Sequence, residues 1–314
     1  PFCKTKCLYC SFASQALGDS QVPQDYLNAL NYEIKAGAEC ISELGYKLRS
    51  IYIGGGTPTV LSAEQLEKLL EHVFNCYGGF GKELTIEAGR PDSIDIHKLR
   101  IIKNFNATRI SLNPQSMNLN TLKKIGRMHT PKDIVNAFNM ARELGFNNIN
   151  MDIIAGLPDE TVGDMDYTLK EIAALKPESL TVHTLALKRA SLLKERLNSY
   201  NLPVPAQVEA MTALSAQYAK ELLMHPYYMY RQKYMSGNLE NIGYSVHKKE
   251  CLYNIDMMED AASIFAFGAG AMTKHVFNGS SQRIERIPAP KDIKTYIDKL
   301  PILLERKRDL FFNN

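Results

Sequence analysis

Residues 83–116 read ELTIEAGRPDSIDIHKLRIIKNFNATRISLNPQS. Two short runs rich in β-branched residues, ELTIEAG (83–89) and ATRISLN (107–113), bracket the amphipathic stretch SIDIHKLRIIKNF (93–105). The outer runs carry the apolar character of strands buried in a parallel sheet, and the middle run has helical spacing. Strand, helix, strand with short connections is the parallel βαβ unit.

The unit recurs in both directions. LRSIYIGG (48–55), NINMDIIAG (148–156) and SLTVHTLA (179–186) read as further strands. SAEQLEKLLEHVF (62–74), TPKDIVNAFNMARELGF (130–146) and TVGDMDYTLKEIAAL (161–175) read as helices, with Leu66, Leu69 and Leu70 at helical spacing. Ser62, Ser93 and Thr130 stand where N-caps belong, and Pro131 suits a first helical position. The expected fold class is α/β, an open, partial barrel, because a closed eightfold barrel needs more units. In such sheets chemistry sits at the C-terminal strand ends. GGGTPT (54–59), EAGRP (87–91), NPQS (113–116) and DIIAGLP (152–158) all fall there.

Past Lys188 the rhythm changes. AQVEAMTALSAQYAKELLMH (206–225) reads as a helix, and YYMYRQKYMSGNLENIGYS (227–245) as a hairpin or covering loop. ASIFAFGAGAMT (262–273) reads as a strand and a Gly-rich turn, and residues 290–311 as a terminal helix. The expected division is a barrel at 1–190 and a smaller α+β extension at 191–314 that covers the substrate site. With 314 residues, 45% of them hydrophobic, the chain has ample material for such a core. A net charge of +3 leaves no basic footprint for nucleic acid, and no long uncharged apolar run offers a membrane span. No signal peptide is visible. Of six cysteines, Cys40, Cys76 and Cys251 are scattered, which fits a reducing cytoplasm better than a secreted disulfide framework.

The other three, Cys3, Cys7 and Cys10, cluster in PFCKTKCLYCSF (1–12). Thiolates at this spacing reach the corners of one iron–sulfur cube or a single metal. A structural zinc wants four ligands, usually two separated pairs, and there is no second pair. A four-iron cluster normally takes four cysteines; three leave one iron open to a small molecule. The C-x3-C-x2-C spacing resembles that of the radical S-adenosylmethionine (radical SAM) superfamily. The resemblance implies a 4Fe-4S cluster whose open iron chelates the amino and carboxylate groups of SAM. The reduced cluster then cleaves the sulfonium to a 5′-deoxyadenosyl radical that abstracts hydrogen from substrate. It further implies that the cysteine loop follows a first barrel strand. Nothing precedes Pro1 and no initiator Met is present, so that strand is expected upstream, and adding it to the five makes a (β/α)6 partial barrel.

Other strand ends fit a bound cofactor. Three consecutive glycines, Gly54 to Gly56, let backbone approach a ligand closely. Glu87 suits the amino group of SAM. Asp152, inside an apolar strand, is costly unless paired or functional, and suits ribose hydroxyls. Arg127 would meet a carboxylate, although taken alone it reads as a surface charge. His183 reads as a satisfied core histidine and His129 as structural.

Taken together, the spacings resemble those of the oxygen-independent coproporphyrinogen III oxidase group, nearest its Z-type coproporphyrinogen dehydrogenase branch. The similarity runs from Cys3 to about Lys188, and more weakly through FGAGAMT. Carried across by motif, Gly55, Gly56, Thr57, Glu87, Gln115, Arg127, Asp152 and Ala186 would line the SAM pocket. The tyrosine that the family uses just before its cysteines would fall before Pro1. EAGRP and LNPQS replace the commoner Glu-Ala-Asn-Pro and Gly-Val-Gln. Phe12 stands where the authentic decarboxylases carry another cysteine, and CLYCSF is shared with the related haem chaperones. The resemblance implies a cytoplasmic enzyme of haem biosynthesis that acts on a porphyrinogen with an electron donor such as flavodoxin or ferredoxin. A haem chaperone without decarboxylase activity and a radical SAM methyltransferase stay open. Arg231, with Tyr230 and Gln232, is a candidate for substrate carboxylates.

Overall fold

In the computed structural model the described residues are 1–231, 235, 237, 239–277 and 283–312. The strands, in chain order, are β1 (Phe2–Cys3), β2 (Gln15–Ala16), β3 (Ser50–Ile53), β4 (Glu83–Gly89), β5 (Arg109–Leu112), β6 (Ile149–Ala155), β7 (Ser179–Thr184), β8 (His225–Tyr230), β9 (Asn241–Ser245), β10 (Met272–Val276) and β11 (Ile284–Pro288). A seven-stranded sheet runs in the order β3-β4-β5-β6-β7-β9-β8. Its first five strands are the five expected from sequence, and they pair in parallel. The fold is an α/β partial barrel.

The aromatic segment after residue 225 does more than cover the barrel. β8 and β9 form a hairpin, and β9 pairs antiparallel with β7, so the sheet continues beyond residue 190. Gly243 makes this possible at close quarters: a Cβ there would stand 1.8 Å from the ring of Tyr228. The rings of Tyr228 and Tyr230 lie parallel, 7° apart, on the same strand.

Helices on the outer face end where local chemistry stops them. Ser62 caps Ala63–Tyr77 through a reciprocal pair with Gln65, and left-handed Gly78 ends it. Thr130 and Asp133 do the same at Pro131–Glu143. Asp95, not Ser93, caps Ile96–Asn104; Ser93 closes a preceding short turn by donating to Arg90 O. The terminal helix is two, Ile293–Asp298 and Leu300–Phe312. Pro301 has no N–H to give residue 297, so one continuous helix cannot run through it. The strand expected at 262–273 shrinks to a single bridge, Ile264 with Lys274, and the regular pairing is β10 with β11.

Helix Gln24–Glu43 escaped the periodicity reading because Glu33 interrupts its buried face. Glu33 and Lys307 are 0% and 1% exposed and 2.6 Å apart. Tyr296 OH and Gly268 N also donate to Glu33, at 2.6 and 2.7 Å, and Lys307 reaches Ala266 O at 2.6 Å. A buried pair with every partner present is tolerated; a half pair is not. Lys307→Ala should therefore destabilise the fold by about 3–5 kcal/mol in urea unfolding. A loss within experimental error would mean that Glu33 is solvated or protonated instead.

Candidate cluster and cofactor site

Apolar anchoring and buried charge position the cysteine loop. Leu8 packs among Leu122, Ile125, Ile154, Leu157, Leu185 and Leu193. Its N–H donates to Ile125 O and its C=O accepts from Leu193 N, both at 2.9 Å. Phe2 O accepts from Thr57 N at 2.8 Å, and a Cβ on Gly56 would stand 2.2 Å from Phe2 O. Glycine at 56 is thus required for the loop to lie against the end of β3. Thr57 Oγ1 reaches Cys3 Sγ at 3.6 Å.

Two guanidinium groups are buried behind the thiols. Arg90 donates to Thr5 O at 3.1 Å and to Cys7 Sγ at 3.5 Å. Asp92 holds Arg90 by a two-pronged pair at 3.0 and 2.9 Å. Burial opposes the carboxylate of Asp92, yet Arg90 outweighs it and lowers the pKa. Arg127 donates to Asn113 O and to Tyr9 OH; it is buried, not the surface charge that its position in sequence suggests. Burial raises the pKa of Cys10. All six cysteines are free. Among the described residues no three Cys, His, Asp or Glu converge as ligands of one ion would. A cube takes its thiolates at separate corners, a wider spacing.

Facing the loop, the strand ends carry a second set. Tyr52 OH donates to Glu87, and Gly55 N reaches Glu87 Oε2 at 3.4 Å. Gly55 has φ +112° and nothing within 4 Å of where a Cβ would stand, so its backbone is open to a ligand. Burial pushes the Glu87 carboxyl up to about 7, against the bond from Tyr52, with Asp152 adding to the rise. Gln115, at φ 67°, continues the pairing of β5 with β6: its N–H donates to Asp152 O at 2.9 Å. Ala186 bridges Met235, which lies between β8 and β9.

Asp152 is the centre of a polar row. Asn150 donates to Asp152 Oδ1 at 2.6 Å and to Ser111 Oγ at 2.9 Å. His183 Nε2 lies 3.7 Å from Asp152 Oδ2, and Tyr230 OH lies 3.5 Å from His183 Nδ1. Burial opposes ionisation of Asp152, but His183 and Asn150 outweigh it and its pKa is lowered. His183 is half-buried at a strand end, not a core histidine. His129 is buried with neither ring nitrogen partnered among the described residues, and burial beside Arg127 pushes it down to about 4. Arg231 is exposed and paired with Glu240 at 2.6 Å, and Gln232 lies outside the described residues. Arg90, Tyr9, Tyr52 and Asn150 were not singled out from sequence. For Arg90 the signal was present: an arginine between Gly89 and Pro91 at the same strand end as Glu87.

A family profile described as Radical SAM superfamily matches residues 1–172. The chain belongs to the radical SAM superfamily. Over 310 residues it is 40% identical to the oxygen-independent coproporphyrinogen-III oxidase-like protein HemZ of Bacillus subtilis, covering 98% of this chain and 62% of HemZ. It is 31% identical over 301 residues to the heme chaperone HemW of the same organism, covering 95% of this chain and 73% of HemW. The solved structure of Escherichia coli coproporphyrinogen III oxidase HemN superposes with a TM-score of 0.72 at 20% identity, over 96% of this chain and 68% of HemN. The chain thus spans somewhat under two thirds of HemZ, and it falls within the group that holds HemZ, HemW and HemN. Its cofactors are those of the superfamily, a 4Fe-4S cluster and SAM. The residues fit them: three free thiols share one anchored loop, and Gln115 Oε1 and Arg127 Nε are buried polar atoms with no partner among the described residues. No described helix is long and apolar enough to cross a membrane.

Arg90→Ala removes a cation that touches Thr5, Cys7 and Asp92 together. After anaerobic reconstitution, iron bound per chain should fall by more than half. Lys68→Ala, which breaks only an exposed pair with Glu64, should leave it unchanged. Equal iron in both variants would contradict a role for Arg90 at the loop.

Proposed function

We propose that this chain is an oxygen-independent oxidative decarboxylase of porphyrinogens, turning propionates of coproporphyrinogen III into the vinyl groups of protoporphyrinogen IX. The observation that carries the reading is that the likeness to HemZ spans both the cysteine loop and the C-terminal hairpin, not the barrel alone. Cys3, Cys7 and Cys10 hold the cluster. When bound, cluster and SAM would supply hydrogen-atom abstraction from a propionate β-carbon; loss of CO2, with one electron passed to a separate one-electron acceptor, would leave the vinyl group.

The protein binds and orients. The backbone of Gly55, Gly56 and Thr57 approaches SAM, and Glu87 takes its amino group. Asp152 takes the ribose hydroxyls, and Gln115 offers SAM its side-chain oxygen, which has no partner among the described residues. Arg127 keeps positive charge beside the loop, and Ala186 closes the pocket beneath the hairpin. Tyr228 and Tyr230 give the substrate an aromatic wall. A flavodoxin or ferredoxin delivers the electron that reduces the cluster, in a cytoplasm that suits six free thiols.

One observation favours a second reading, a haem chaperone. Phe12, two residues after Cys10, is 70% exposed, and it stands where a further thiol is expected in a decarboxylase. The reconstituted protein with coproporphyrinogen III, SAM and a strong reductant separates the two. Vinyl product with 5′-deoxyadenosine is expected. Stoichiometric haem retention without turnover would favour the chaperone, and release of S-adenosylhomocysteine would point to methyl transfer; either overturns the decarboxylase reading.

A further inference from the structure

The row around Asp152 is built from four strands. Asn150 cannot turn freely, because its amide nitrogen serves Ser111 as well as Asp152 and its oxygen accepts from Thr181 Oγ1 at 3.2 Å. One carboxylate oxygen of Asp152 is therefore held by β6 itself. The other lies 3.7 Å from His183 Nε2, from β7. The side chains of His183 and Asp152 are 28% and 17% exposed, so the pair borders a space open to ligand yet is poorly screened.

The second ring nitrogen decides what His183 offers. Tyr230 OH lies beside Nδ1. A hydroxyl that donates to Nδ1 leaves the proton on Nε2, the nitrogen aimed at Asp152. Tyr230 comes from β8, across β9, and Gly243 lets that strand pack closely by having no side chain for the Tyr228 ring to meet. An ionised carboxylate has about four acceptor sites. Asn150 takes one on Oδ1, and His183 Nε2 faces Oδ2 at 3.7 Å, which leaves room on both oxygens, side by side, for a vicinal diol.

We infer that His183 is a positioning residue: through Nε2 it holds the carboxylate of Asp152 in the plane that the ribose hydroxyls of SAM require, and Tyr230 of the C-terminal hairpin holds His183 in turn. The inference rests on the assignment of Asp152 to the ribose. It ties the hairpin that walls the substrate side to the nucleoside side of one pocket.

The test is SAM affinity of the cluster-reconstituted chain, measured by equilibrium dialysis at one pH, with iron content as the check on folding. His183→Ala should weaken binding about tenfold, through loss of the imidazole that faces the carboxylate. His183→Gln presents an N–H in a similar place and should recover affinity to within about twofold of the parent. Asp152→Asn should weaken binding at least as much as His183→Ala. The double variant should match Asp152→Asn alone, because His183 acts only through that carboxylate. Parent-like binding by His183→Ala overturns the inference. So does a glutamine variant as weak as the alanine one, which would mark His183 as packing, or additivity in the double variant, which would mark direct contact with SAM. If His183→Ala fails to take up iron, the glutamine variant decides alone. Parent-like binding by Asp152→Asn would instead overturn the ribose assignment, a failure distinct from that of His183.

Discussion

Arg90 lies buried between the cysteine loop and Asp92, with one nitrogen on Thr5 O and Cys7 Sγ. Thiolates out of water are costly without nearby positive charge, and an unpaired buried guanidinium is equally costly. Asp92 balances the cation, and the cation in turn suits the sulfur. Arg127, bonded to Tyr9 OH and Asn113 O, adds a second buried cation at the loop. The loop's place against the barrel, and hence the place of every strand-end side chain relative to it, depends on these two buried cations and on the Leu8 anchor.

The sheet carries the remaining groups to the same end. Parallel strands deliver Glu87, Asp152 and His183 from within β4, β6 and β7, and Gln115 from just past the end of β5. The antiparallel hairpin adds tyrosines on the far side. Glu87 and Asp152 show how environment separates like groups: burial lifts Glu87 to about 7, whereas His183 and Asn150 keep the Asp152 pKa low. One carboxyl is poised to change charge on meeting a cation, and the other is a fixed acceptor.

Much of this was legible in sequence because it is local. Strand and helix alternate on residues that are neighbours, and Ser62 and Thr130 announce helices by chemistry within four residues. The spacing of Cys3, Cys7 and Cys10 is local too. What was not legible depends on residues far apart in the chain. Arg127 reads as solvated until Tyr9 and Asn113 close over it. His183 reads as core until Asp152 and Tyr230 are seen on either side. Helix Gln24–Glu43 hides behind Glu33, whose partners Tyr296 and Lys307 lie more than 260 residues away. The hairpin's entry into the sheet turns on Gly243 lying beneath Tyr228, which no periodicity records.

The central claim is that three thiolates grip a four-iron cluster and leave one iron for SAM. Electron paramagnetic resonance of the reduced, reconstituted protein, with and without SAM, tests it most directly. A reduced 4Fe-4S signal that shifts on adding SAM, and that Cys7→Ala abolishes, is the expected result. Zinc in place of iron, or a cluster signal that SAM leaves unchanged, would contradict it.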